Sequence, residues 1–153
     1  MLLNLFKILK KENALFFPPA TDDDRTTLMS FFAGAHITKI PQNYLDFLGK
    51  TNGLCWNGIE LFGTKSFDRP LKSYTFPSLM EVYQTYSNCP WRQKYLPLGH
   101  ACETIIVFHY ETQTYQTLDR FDASPHLGFV KFTDLLSFLI DNQMKEIKTN
   151  FSR

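Results

Sequence analysis

The stretch Ile40-Pro41-Gln42-Asn43-Tyr44-Leu45-Asp46-Phe47-Leu48-Gly49-Lys50-Thr51-Asn52-Gly53, with Leu61-Phe62-Gly63 close behind, constrains this chain more than any other. Pro41 suits the first position of a helix, where a backbone N–H would have no partner. Tyr44, Leu45, Phe47, Leu48 and Thr51 follow at helical spacing and give one apolar face. Asn52-Gly53 can supply the left-handed residue that closes a helix. Cys55-Trp56-Asn57-Gly58-Ile59-Glu60-Leu61-Phe62 then reads as strand, tight turn, strand, because Asn-Gly tolerates the positive φ that a two-residue hairpin turn requires. A short helix is delivered directly into a sheet.

The remaining chain extends this pattern. Leu2, Leu3, Leu5, Phe6, Ile8 and Leu9 are interspersed with and followed by Lys7, Lys10 and Lys11. That order is the reverse of a secretion leader, and the run is too short to span a bilayer. A helix docked on the domain is favoured over an anchor lying on a membrane surface. Phe16-Phe17-Pro18-Pro19 breaks the chain. Thr21-Asp22-Asp23-Asp24 then reads as a helix start, with a cap residue followed by acids that the helix dipole favours. Leu28, Phe31 and Phe32 face inward, and the helix ends near Gly34. The acidic run is better explained as a solvated cap than as a metal or partner site. Residues 65–76 form a polar connection, and Pro77-Ser78 opens a helix through Leu79, Val82, Tyr83 and Tyr86.

Tyr95-Leu96-Pro97-Leu98-Gly99, residues 104–110, residues 114–118 and Leu127-Gly128-Phe129-Val130 read as strands. Phe132-Thr133-Asp134-Leu135 starts a last helix with Leu135, Leu136, Leu139 and Ile140 on its inner face. The expected class is α+β: an antiparallel or mixed sheet of about five to six strands with helices packed on it. Residues 1–20 are expected to form an N-terminal amphipathic helix and linker, and residues 21–148 one domain.

With 153 residues the chain can bury a core without disulfides or metal. Most of its 15 Phe and 7 Tyr are expected in the core, with some surplus facing a partner. The net charge of +1 argues against nucleic acid and against bulk electrostatics as a working principle. Cys55, Cys89 and Cys102 are odd in number and show no C-x-x-C spacing, which fits reduced, mostly buried thiols and a cytoplasmic location.

Signals for chemistry are weak. His100, Cys102, Glu103 and His109 lack the paired spacing of a zinc site, and are read as a buried cysteine with surface-leaning histidines. There is no nucleophile elbow and no glycine-rich phosphate loop. No catalytic residue, metal or cofactor is expected. Trp56, Glu60, Asp68, Arg69, Tyr86, Trp91, Arg92, Asp119, Arg120 and Asp122 instead mix aromatics and charges in turns and connections. Trp, Tyr and Arg dominate interface energetics, and loop charges supply specificity and on-rate. These ten are the candidate partner-binding residues, with core packing the competing reading for both tryptophans.

The order of the pieces resembles the SUKH superfamily, the Smi/Knr-like immunity proteins that also include fungal cell-wall regulators. The resemblance rests on Ile40-Pro41, Tyr44, Phe47-Leu48, Asn52-Gly53, Leu61-Phe62-Gly63, Tyr95-Leu96-Pro97-Leu98-Gly99 and the closing helix from Phe132 to Ile140. Where the family often carries Gly-Asp after the Leu-Gly turn, this chain has Ala101-Cys102-Glu103, so no function carries over from that loop. The resemblance implies an α+β immunity protein, a monomer or weak dimer, that binds and neutralises a cognate protein toxin domain without catalysis. A regulator or scaffold of cell-wall synthesis, or a small-ligand-binding domain, is the alternative.

Overall fold

The computed structural model describes residues 1–68 and 75–151. Five helices, α1 (Leu2–Lys11), α2 (Asp22–Gly34), α3 (Gln42–Leu48), α4 (Leu79–Thr85) and α5 (Phe132–Phe151), surround a sheet. Its strands are β1 (Leu15–Phe16), β2 (Leu54–Trp56), β3 (Ile59–Leu61), β6 (Tyr95–Ala101), β7 (Thr104–His109), β8 (Thr114–Asp119) and β9 (Pro125–Phe129). They lie in the order β1-β2-β3-β6-β7-β8-β9, every neighbour antiparallel. A separate two-stranded ribbon pairs β4 (Phe67–Asp68) with β5 (Thr75–Phe76). The protein is α+β, with helices packed on an antiparallel sheet.

The main sheet has seven strands among the described residues, more than the five to six expected. β1 has two residues and lies just before Pro18-Pro19, so it carries no alternation to read. The ribbon falls in the segment read as a polar connection for the same reason.

Local chemistry explains the ends of the elements. Thr21 Oγ1 accepts from the Asp24 amide at 3.1 Å, and Asp24 returns the bond to the Thr21 amide at 2.9 Å. This reciprocal cap is worth about 1 kcal/mol. Ser78 caps α4 through the Glu81 amide at 3.2 Å. Asn57 and Gly58 have φ of 46° and 85°, the left-handed pair of a tight hairpin turn.

Two expectations about α3 are corrected. Pro41 is the residue before the helix rather than its first member, with an extended ψ of 124°. Asn52-Gly53 does not close the helix, which ends at Leu48 and is followed by Gly49 in a right-handed conformation. Asn52 is fully buried and is committed elsewhere: its Nδ2 donates to Thr64 Oγ1 at 2.8 Å, and its Oδ1 accepts from the Thr64 amide at 2.7 Å. Gly53 turns the chain at φ 123°.

The core is aromatic. Ring contacts run from Phe16 on β1 through Phe6 on α1, Phe47 on α3 and Phe132 on α5 to Tyr115 on β8, each step 5.0–6.0 Å between centroids. α1 buries Leu5, Phe6 and Leu9 in this core, docked on the sheet side rather than free. Tyr44 is also fully buried, and its hydroxyl donates to the carbonyls of Phe62 (2.5 Å) and Leu98 (3.2 Å), tying α3 to two strands. Among the described residues no helix is long and apolar enough to cross a membrane.

Candidate functional site

The opposite face of the sheet carries a smaller cluster. Strand register sets Glu60 on β3 beside His100 on β6, His100 beside Ile105 on β7, and Ile105 beside Leu118 on β8. Partners in an antiparallel register share a face. Ile105, Val107 and Leu118 are buried there, with Tyr86, Trp91 and Tyr95 packed over them.

α4 delivers the aromatics. It buries Leu79 and Val82, and Tyr86 is the residue that ends it. The Tyr86 hydroxyl lies 2.7 Å from His100 Nε2. The Trp91 ring, in a 3-10 turn over Pro90–Gln93, lies 4.9 Å from the Tyr86 ring. Phe62 meets the His100 ring edge-on at 5.2 Å from the main core. Arg120, just beyond β8, donates Nη1 to the Cys102 carbonyl at 3.1 Å.

Burial pushes His100 down to about 4, and the Arg120 charge pushes the same way. Burial pushes Tyr86 up, against a weaker opposing pull from Arg120. Both groups are driven toward their neutral forms and away from neutral pH.

Beside this cluster, residues 119–122 form a self-braced turn. Asp119 Oδ1 accepts from the amides of Phe121 (2.8 Å) and Asp122 (3.1 Å), and Asp122 Oδ1 accepts from the Ser124 amide at 2.9 Å. Hydrogen bonding from Ser124, its side chain first and then its backbone amide, holds the exposed Asp122 carboxyl below its usual range. Both carboxylates are turned onto the loop's own backbone. What the loop presents is Phe121, 90% exposed; Arg120 is exposed beside it, with its guanidinium turned to the Cys102 carbonyl.

The sequence candidates separate accordingly. Tyr86, Trp91, Arg120 and Glu60 converge on His100. Asp119 and Asp122 shape the adjoining turn. Trp56 is only 7% exposed and packs in the main core. Asp68 is exposed at the end of β4 and accepts from Thr75 Oγ1 at 3.3 Å, within the ribbon. Arg92 stacks on Tyr83, away from His100's hydrogen bond. Arg69 lies outside the described residues.

Sequence reading missed two members. His100, read as surface-leaning, is half-buried against Tyr86. Phe121 was passed over between two acids, although an aromatic inside an Asp-rich turn has no core to enter. Cys102, read as buried, is exposed: it sits at φ 55° in the β6–β7 turn, where the chain must reverse in two residues. Of the three thiols only Cys55 is buried. Among the described residues no three His, Cys, Asp or Glu side chains converge to hold a metal.

No protein-family model, curated protein or solved structure matches this chain.

Proposed function

We propose that the chain is a non-catalytic immunity protein that binds a cognate bacterial toxin domain in the cytoplasm and neutralises it by occlusion. The observation that carries this reading is Phe121, held 90% exposed by a turn that its own aspartates brace, next in sequence to Arg120. An exposed aromatic on a backbone turn that is already braced, beside an arginine, is the composition of an interface hot spot, because the backbone has little entropy left to lose when a partner covers it. Tyr86 and Trp91 extend the surface inward from that point. The neutral Tyr86–His100 pair supports a binding role over acid–base chemistry.

The order of the SUKH-like motifs supports the same reading. Tyr44, Asn52 and Gly63 are all buried and lie where α3 meets the sheet, so the resembling residues are those that build the scaffold. Co-purification of the tagged chain with the toxin domain encoded beside it tests the proposal. A one-to-one complex that protects cells from that toxin is the expected result. Absence of both a complex and protection would overturn it.

A further inference from the structure

Away from the Tyr86 cluster, the chain leaving α2 borders a second, open concavity. Residues 35–39 form one wall, and Tyr83, Arg92, Gln93 and Tyr110 the other. Its volume is about 450 Å³, within the range of small-molecule sites.

The charge in this cavity has one sign. Lys39 and Arg92 line it with His36, and no Asp or Glu does. Among the described residues the ion pairs are Arg25 with Asp22 and Lys65 with Asp24, so neither Lys39 nor Arg92 has a carboxylate partner. Arg92 is nonetheless fixed. Its guanidinium carbon lies 4.1 Å from the Tyr83 ring centre, and Nη1 donates to the Tyr83 carbonyl at 2.9 Å. Tyr83 is itself wedged edge-on against Phe31 and Phe32, at 6.3 and 5.3 Å. A planar cation held this way is preorganised to receive a carboxylate or phosphate.

Tyr110 adds a second ring to the lining. Burial and the neighbouring Tyr83 raise its pKa, so its hydroxyl stays neutral, while the Arg92 charge pulls the other way.

We propose that this cavity binds a small organic anion, a carboxylate or phosphate monoester on a flat ring. Lys39 and Arg92 take the charge, and the Tyr83 and Tyr110 rings line the space for the body. The inference stands independently of toxin binding. The test is an NMR titration of the full chain with phenyl phosphate, and with benzyl alcohol as the uncharged counterpart. Saturable amide shifts confined to residues 35–39, 83, 92, 93 and 110 are expected. Lys39→Gln, at an exposed position, is expected to weaken binding about tenfold. Shifts that never saturate, equal binding of benzyl alcohol, or unchanged affinity in Lys39→Gln would each overturn the proposal.

Discussion

The Tyr86 hydroxyl and His100 Nε2 lie 2.7 Å apart, and this one contact joins the end of α4 to the outer face of the sheet. It also makes the fold sensitive to acid. His100 titrates at about 4 in the folded protein against 6.5 for the free side chain, chiefly through burial and secondly through Arg120. Between those values the unfolded chain binds more protons, so stability rises with pH there. The contribution is complete above about 6.5 and is lost as pH falls toward 4. Because His100 is only half-buried, solvent screening limits the effect to on the order of 2 kcal/mol. Urea unfolding at pH 7 and pH 4.5 should show wild type losing more stability than His100→Gln; parallel losses would remove the linkage.

Asn52 and Thr64 hold each other through two buried hydrogen bonds, and Gly63 lies beneath them. A Cβ on Gly63 would collide with both the carbonyl and the side-chain oxygen of Asn52. Backbone cannot yield as a flexible side chain can, so Gly63→Ala should cost about 2 kcal/mol or more. Asn52→Ala should cost a similar amount by leaving the Thr64 amide and hydroxyl unmet, about 2–3 kcal/mol. Equilibrium denaturation measures both, and a loss below about 0.5 kcal/mol, the scale of an ordinary surface change, would contradict the packing argument.

Tyr44 gives a milder test of the same junction. Its hydroxyl bridges the Phe62 and Leu98 carbonyls, and Phe62 and Leu98 are themselves joined by a 3.0 Å backbone bond. Tyr44→Phe keeps the ring, with its contacts to Phe47 and Phe132, and removes only the bridge. The expected cost is about 1–2 kcal/mol in thermal or chemical unfolding. Tyr44→Ala also opens a cavity beside Phe47 and should cost about 3–5 kcal/mol.

What the sequence reveals here is what short-range chemistry decides. The Thr21 and Ser78 caps act over three residues, and the Asn57-Gly58 turn acts over two, so residue type alone specifies them. Pairing at a distance is hidden. β1 exists because Cys55 and Leu54 offer it an edge, and two residues carry no period of their own. Asn52 looks like a helix terminator until Thr64, twelve residues on, claims its side chain. The candidate site follows the same division. Tyr86, Trp91 and Arg120 are visible as residue types, but His100 becomes their centre only through the register that aligns β3, β6 and β7.

Phe121 separates binding from stability most cleanly. At 90% exposure it contributes almost nothing to the core, so Phe121→Ala should change unfolding free energy by less than about 0.5 kcal/mol. If the loop is a toxin-binding anchor, the same change should cost about 2 kcal/mol of affinity, roughly thirtyfold in Kd. Asp119→Ala should act differently. It releases the amides of Phe121 and Asp122, loosens the turn and weakens binding through lost preorganisation, although Asp119 itself need not touch the partner. Titration calorimetry on the purified complex distinguishes the two. A Phe121→Ala protein that binds and protects as well as wild type would move the interface away from this loop.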